Sequence, residues 1–211
     1  MQETLGSIDD ALHRIQSLLA SSKSRTVIGI SGKPGCGKST FSHYLSENLP
    51  SELVAIVPMD GFHLSNKVLA ELGRSEYKGA PDTFDVMSFA ALLRRIRSEN
   101  DSVIYYPVFD RAIEESIAAQ GKVSASIKVV IVEGNYLLHD EGPWSEIASL
   151  LDESWYLDLP DEVRVERLIQ RHIRYGKSPA DADAWVQRTD EKNAELIGKS
   201  ASRADFVLNL N

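Results

Sequence analysis

The chain has 211 residues, 43% of them hydrophobic and 26% charged, a size and composition suited to one compact domain with a substantial core. Its net charge of −8 argues against a phosphate-backbone-binding surface and against a polybasic membrane patch, so neither nucleic acid nor membrane is expected as a partner. The N-terminus carries acids early and is unlike a signal peptide, the longest aliphatic run is only residues 129–132, and Cys36 has no second cysteine to pair with; the chain reads as cytoplasmic.

Leu5, Ile8, Leu12, Ile15 and Leu19 recur at helical spacing, which predicts an amphipathic helix within residues 1–24. Such a helix packs on its own domain or pairs with a second copy as a homodimer, and the first arrangement is the more common. Residues 26–30 predict a short strand, followed at once by a glycine-rich turn and a helix over 39–49. A second strand over 53–57 ends at Met59, Asp60 and Gly61. Residues 61–85 are polar, with Gly73, Gly79 and Pro81, and read as a mobile substrate-side flap. Asp85 is placed to cap a helix over 86–98.

Strands follow over 103–109 and 127–132, the second aliphatic apart from Lys128, as in a strand covered on both faces. A helical stretch over 146–151 and a strand over 154–159 lead to Pro160, which opens a helix over 161–175 within a lid at 161–178. A helix over 181–199 and a closing strand over 206–210 complete a single domain spanning 1–211. The alternation predicts an α/β fold with a doubly wound, mostly parallel sheet, whose ligands bind at the carboxyl ends of the strands.

The strongest motif is Gly32, Lys33, Pro34, Gly35, Cys36, Gly37, Lys38 and Ser39, which matches GxxxxGK[ST] between an aliphatic strand and a helix. Its glycines let backbone N–H groups turn inward around phosphates, and the helix adds its positive end. Lys38 is expected on the β- and γ-phosphates of ATP, Ser39 on Mg2+ and Thr40 at the α-phosphate. Two acids end apolar strands. Glu133 follows the run at 127–132 and suits the magnesium's surroundings; Asp60 suits a base that takes the acceptor hydroxyl proton. The alternative for each is a solvated acid or a cap on the next helix. Arg164, Arg167, Arg171 and Arg174 fall within an arc of roughly 80° on one helix. With a P-loop present, Arg167 and Arg171 read as lid residues closing on the phosphates, the alternative being a solvated face paired with Glu162 and Glu166.

Taken together, these motifs resemble the uridine kinase, phosphoribulokinase and bacterial pantothenate kinase family of P-loop kinases over nearly everything from Thr26 onward. Its bacterial members labelled nucleoside/nucleotide kinase-like or fructose transport system kinase look most alike. The segment from Met59 to His63 resembles the family's second-strand motif, whose aspartate is the proposed base. Lys78 to Asp85, Tyr106 to Arg111 and Glu133 to Tyr136 are similar to its flap-to-helix, substrate-side and acidic motifs. The resemblance implies that His63, Asp110, Arg111, Tyr136 and Asn193 line the acceptor pocket and that Arg203 lies near the adenine. Asp110 could instead cap a turn, and an arginine at 111 suits a carboxylate or phosphate on the acceptor.

His63 stands where uridine kinases carry an aromatic residue, and the larger C-terminal substrate region of pantothenate kinases is absent; both departures point away from those two substrates. The expected activity is ATP-dependent transfer of a phosphoryl group to a hydroxyl of a small metabolite: a sugar, a nucleoside, a pantothenate-like compound or a hydroxy acid. The competing reading is a regulatory P-loop ATPase acting with a protein partner. It needs a residue that orients water and a partner surface, and neither stands out.

Overall fold

The computed structural model describes residues 3–22 and 24–209. Six strands form one wholly parallel sheet in the order β1 (Glu3–Leu5), β8 (Phe206–Asn209), β7 (Glu153–Asp158), β2 (Thr26–Gly32), β6 (Val129–Glu133) and β3 (Val54–Pro58). β2 is buried along its whole length, and its side chains divide between two cores. On one face Val27 and Val130 pack with Phe89, Leu93 and Ile96 of α4 (Val86–Ser98). On the other, Ile28 and Ile131 pack with Ala11 and Ile15 of α1 (Ile8–Ser21) and with Phe41 and Leu45 of α2 (Lys38–Glu47). This double cover is why β6 is aliphatic up to Glu133. Each such large side chain contributes on the order of 1.5–3 kcal/mol by leaving water.

The N-terminal helix packs on its own domain. Ser7 caps it by accepting from the Asp10 N–H at 3.1 Å, Ala11 and Ile15 are fully buried, and Arg14 pairs with Glu153 at 2.6 Å. Leu5 belongs instead to β1, an edge strand too short to show a period of its own, which is formed by pairing with β8. Residues 1, 2 and 23 of the expected helical segment, and residues 210 and 211 after the closing strand, lie outside the described residues. Among the described residues no helix is long and apolar enough to cross a membrane.

Four segments differ from expectation. The strand expected over 103–109 is β4 (Ile104–Asp110), but it leaves the main sheet and forms an antiparallel hairpin with β5 (Glu115–Val123). The β5 sequence, with two alanines and a glycine, carries little strand signal; its partner organises it. The helix expected over 181–199 is α6 (Pro179–Trp185), a π-helical turn Val186–Asp190 and α7 (Glu191–Lys199). The flap folds into short helical pieces: a 3₁₀ turn Met59–Phe62, α3 (Asn66–Glu71), and turns Ser75–Tyr77 and Pro81–Thr83. A bridge between His63 and Phe84 and the hydrogen bond from Asp85 N–H to the Phe62 carbonyl (2.8 Å) tie its two ends together. The stretch expected to be helical over 146–151 is 3₁₀, Gly142–Leu150.

Candidate active site

β2 ends at Gly32 and α2 begins at Lys38, so the glycine-rich loop lies at the carboxyl edge of the central strand. α2 has no side-chain cap and no acid in its first turn, which leaves its first backbone N–H groups open toward the loop. Gly35 has φ +81°, and a Cβ there would stand 2.5 Å from the Arg164 carbonyl oxygen and 2.8 Å from Leu168 Cγ. Only glycine allows both that conformation and that approach of the loop to α5 (Asp161–Arg174). Lys38 Nζ lies across the loop, donating to the carbonyls of Gly32 (2.7 Å) and Lys33 (3.1 Å). A cavity of about 1020 Å³ opens above, lined by Pro34, Gly35, Gly37, Lys38, Ser39 and Thr40. Gly32 and Cys36 are buried beneath the loop, and Lys33 turns aside to pair with Asp161 at 2.9 Å.

Both strand-end acids reach this cavity. Glu133 is the last residue of β6 and registers with Ile30 on one side and Pro58 on the other, next to the turn that carries Asp60. Burial holds Glu133 above the usual carboxylate range and Asp60 adds to this, with a hydrogen bond from Ser39 and the charge of Lys38 offsetting only part. Its Oε2 is buried without a hydrogen-bond partner among the described residues. Asp60 moves the other way. Burial alone would raise it, but His63, Arg111, Lys38 and Arg171 together hold it below the usual range. His63 is itself held below the imidazole range by burial, against the pull of Asp60, so near neutral pH the cations around Asp60 are Arg111, Lys38 and Arg171. Two carboxyl groups pushed apart in this way are suited to different tasks.

The far end of the cavity is assembled from distant segments. A Cβ on Gly61 would stand 2.0 Å from the Pro107 carbonyl oxygen, so the glycine lets β4 lie directly against the Asp60 turn. That contact delivers Arg111, whose Nη2 pairs with Asp60 Oδ2 at 2.9 Å. His63 sits between the rings of Phe84 and Phe109, with centroids at 4.0 and 4.8 Å, and its Nδ1 lies 2.8 Å from the Asp60 carbonyl. Lys78 extends over Phe109 at 5.0 Å and donates to the carbonyl of Glu114, a residue at φ +53° in the hairpin turn. Asn193 lines the cavity and donates to the Gly79 carbonyl at 3.3 Å.

Of the resemblance-derived positions, His63, Arg111 and Asn193 gather at the cavity, while three do not. Tyr136 is fully buried, outside the lining, with its hydroxyl donating to the Gly79 carbonyl at 2.6 Å. Asp110 caps its own turn by accepting from the Ala112 N–H at 2.8 Å. Arg203 precedes β8 and pairs with Asp140, outside the lining of this cavity.

The arginine stripe also divides. Arg167 and Arg171 line the cavity, and Arg174 is exposed outside its lining. Arg164 is 1% exposed and stands outside the lining, bidentate to Glu191 at 2.6 and 2.8 Å and donating to Asp161 at 2.6 Å. One turn of the stripe thus anchors α5 to α7 rather than lining the cavity. Sequence reasoning did not select Lys78, Phe84, Phe109, His172 or Asp190 as site residues, although all line the cavity. His172 Nε2 lies 2.8 Å from Asp190, which joins the lid helix to the π-helical turn. Only that turn's side-chain placement makes the pair, and no local pattern announces it.

A model of the phosphoribulokinase / uridine kinase family matches residues 27–210. The Escherichia coli protein YggC, which is uncharacterized, is 37% identical over 205 residues, covering 94% of this chain and 84% of its own. A Schizosaccharomyces pombe protein provisionally named uridine kinase C227.14 is 34% identical, covering 97% of this chain and 91% of its own. The crystal structure of a Silicibacter sp. TM1040 protein, provisionally described as a fructose transport system kinase, superposes with a TM-score of 0.87 at 35% identity, covering 95% of this chain and 98% of that one. The chain therefore belongs to the phosphoribulokinase / uridine kinase family, and is an ATP-dependent phosphotransferase with a hydroxyl group as acceptor.

Proposed function

We propose that the protein transfers the γ-phosphoryl group of Mg·ATP to a hydroxyl of a small metabolite, with Asp60 as the base. The observation that carries this reading is the Asp60 carboxylate itself. It stands at a cavity shared with the P-loop, kept ionised by three cations and paired with Arg111 at 2.9 Å. A solvated or capping acid would have no reason to be surrounded in this way.

The triphosphate lies along Gly32 to Thr40, its charge met by the open N–H groups of α2, by Lys38 and by Arg167 and Arg171 from the lid. To engage it, Lys38 exchanges the loop carbonyls for phosphate oxygens. Glu133 and Ser39 are the residues that would hold magnesium. A buried carboxylate oxygen without a partner fits a hard cation, and among the described residues no cluster of three acids or histidines competes for it. A bound magnesium supplies charge neutralisation on the phosphates. Asp60 receives the acceptor's proton while Arg111, His63 and Asn193 orient the acceptor, whose negative group, where it has one, pairs with Arg111.

The test is ATP consumption with magnesium against sugars, nucleosides, pantothenate, glycerate and related hydroxy acids, with Lys38→Ala as control. An acceptor that accelerates ADP release and emerges phosphorylated supports the reading and names the substrate. ATP turnover stimulated by a protein partner and by no small hydroxyl compound would overturn it.

A further inference from the structure

Arg203 stands outside the cavity's lining, and the cavity offers the nucleobase a seat at the P-loop end. We infer that Tyr44 of α2 and Ile8 of α1 form the walls that receive the base of the nucleotide, an inference that rests on the phosphate assignment above. Both residues line the same cavity as Thr40 and Gly37. Both are large apolar side chains left in contact with solvent, at 40% and 36% exposure.

The arrangement follows from the fold. Thr40 and Tyr44 are four residues apart on α2, so they share a face, and Tyr44 lies ~9 Å along the helix axis from Lys38. That is the direction in which a ribose and base leave a triphosphate whose β-phosphate meets Lys38. Ile8 opens α1 immediately beyond β1, which runs parallel to β8, so its carboxyl end lies on the ligand edge of the sheet. The segment carrying Ile8 precedes residue 27, where the family match begins. The N-terminal strand and helix therefore do more than cover the sheet: they supply one wall of the nucleotide site. A planar aromatic base between an aliphatic side chain and a tyrosine ring leaves water on both faces, a sequence-tolerant mode of recognition.

The experiment separates base from phosphate. Calorimetric binding of Mg·ADP and of inorganic tripolyphosphate, which has no base, is measured for wild type, Tyr44→Ala, Tyr44→Phe and Ile8→Ala. Tyr44→Ala should weaken ADP about tenfold and Ile8→Ala about threefold, with tripolyphosphate changed less than about twofold in each. Tyr44→Phe should bind ADP as wild type does. Both positions are surface-exposed, so the thermal midpoint serves as a control for folding. ADP affinity unchanged in both alanine variants, or ADP and tripolyphosphate weakened alike, overturns the inference while leaving the phosphate cradle standing. Wild type that binds neither ligand overturns the cradle itself and this inference with it.

Discussion

At its phosphate end the cavity is walled by one short segment, Pro34, Gly35 and Gly37 to Thr40, whereas at its acceptor end Asp60, His63, Lys78, Arg111 and Asn193 arrive from separate segments. The first end is made largely of backbone: a loop whose glycine at φ +81° admits α5, and a helix start with open N–H groups. The second is made of side chains held by other side chains, as Arg111 is by Asp60 and Lys78 by Asn66. A backbone cradle recognises what every nucleoside triphosphate shares. A side-chain pocket is free to change its ligand by single substitutions, which agrees with a family whose members bear the names of different substrates.

The contrast can be sharpened most at Asp60, the proposed base at the acceptor end. Asp60→Asn should lower kcat by about 10²–10⁴-fold while Mg·ADP affinity stays within about twofold. Calorimetry beside steady-state turnover checks this, and wild-type turnover would remove Asp60 as the base. Next is the cradle. Gly35→Ala forces a Cβ against the Arg164 carbonyl at a strained φ, so it should cost about 1–3 kcal/mol and raise the KM for ATP at least tenfold. The KM for the acceptor should move little, and equal rises in both would blur the division between the two ends.

Arg111→Ala reverses that pattern. Loss of a charge-assisted contact should raise the KM of an anionic acceptor about tenfold with the KM for ATP unchanged. It also changes the pH profile. Asp60, held low, stays ionised as pH falls toward the ordinary carboxylate range. Removing Arg111 takes away one of the cations while burial remains, and the acid limb of kcat should move to higher pH; a limb that stays in place would detach Arg111 from Asp60. The smallest effect is expected at Tyr136, which holds the flap through Gly79 without touching the cavity. Tyr136→Phe should cost about 1 kcal/mol in denaturant unfolding and leave both KM values within about twofold. A large rise in the acceptor KM would return Tyr136 to the site.

Much of this was legible in the residues. The P-loop, its flanking strand and helix, the Asp85 cap and the strand-end acids all depend on neighbours in sequence, so local pattern reports them. The division of the arginine stripe was not legible. Arg164, Arg167 and Arg171 are equivalent by helical spacing, and the approach of Glu191 from α7 selects Arg164 as an anchor. The same holds for the β4–β5 hairpin, where β5 exists because β4 pairs with it, and for Tyr136 and Asp110, whose polar atoms are claimed by backbone groups a residue list does not show.

By itself the sequence determined the parallel α/β architecture, the glycine-rich loop between its strand and helix, and the two acids that end their strands. These rest on periodicity, on glycine's conformational freedom and on the fact that a strand's carboxyl end is where its last residue stands. Only the tertiary structure decided which charged groups face one another. It paired Arg203 with Asp140, set Arg111 on Asp60, and placed Ile8 on the cavity that the P-loop lines. Those outcomes depend on contacts between residues far apart in the chain, which packing of the two cores settles and which no local spacing encodes.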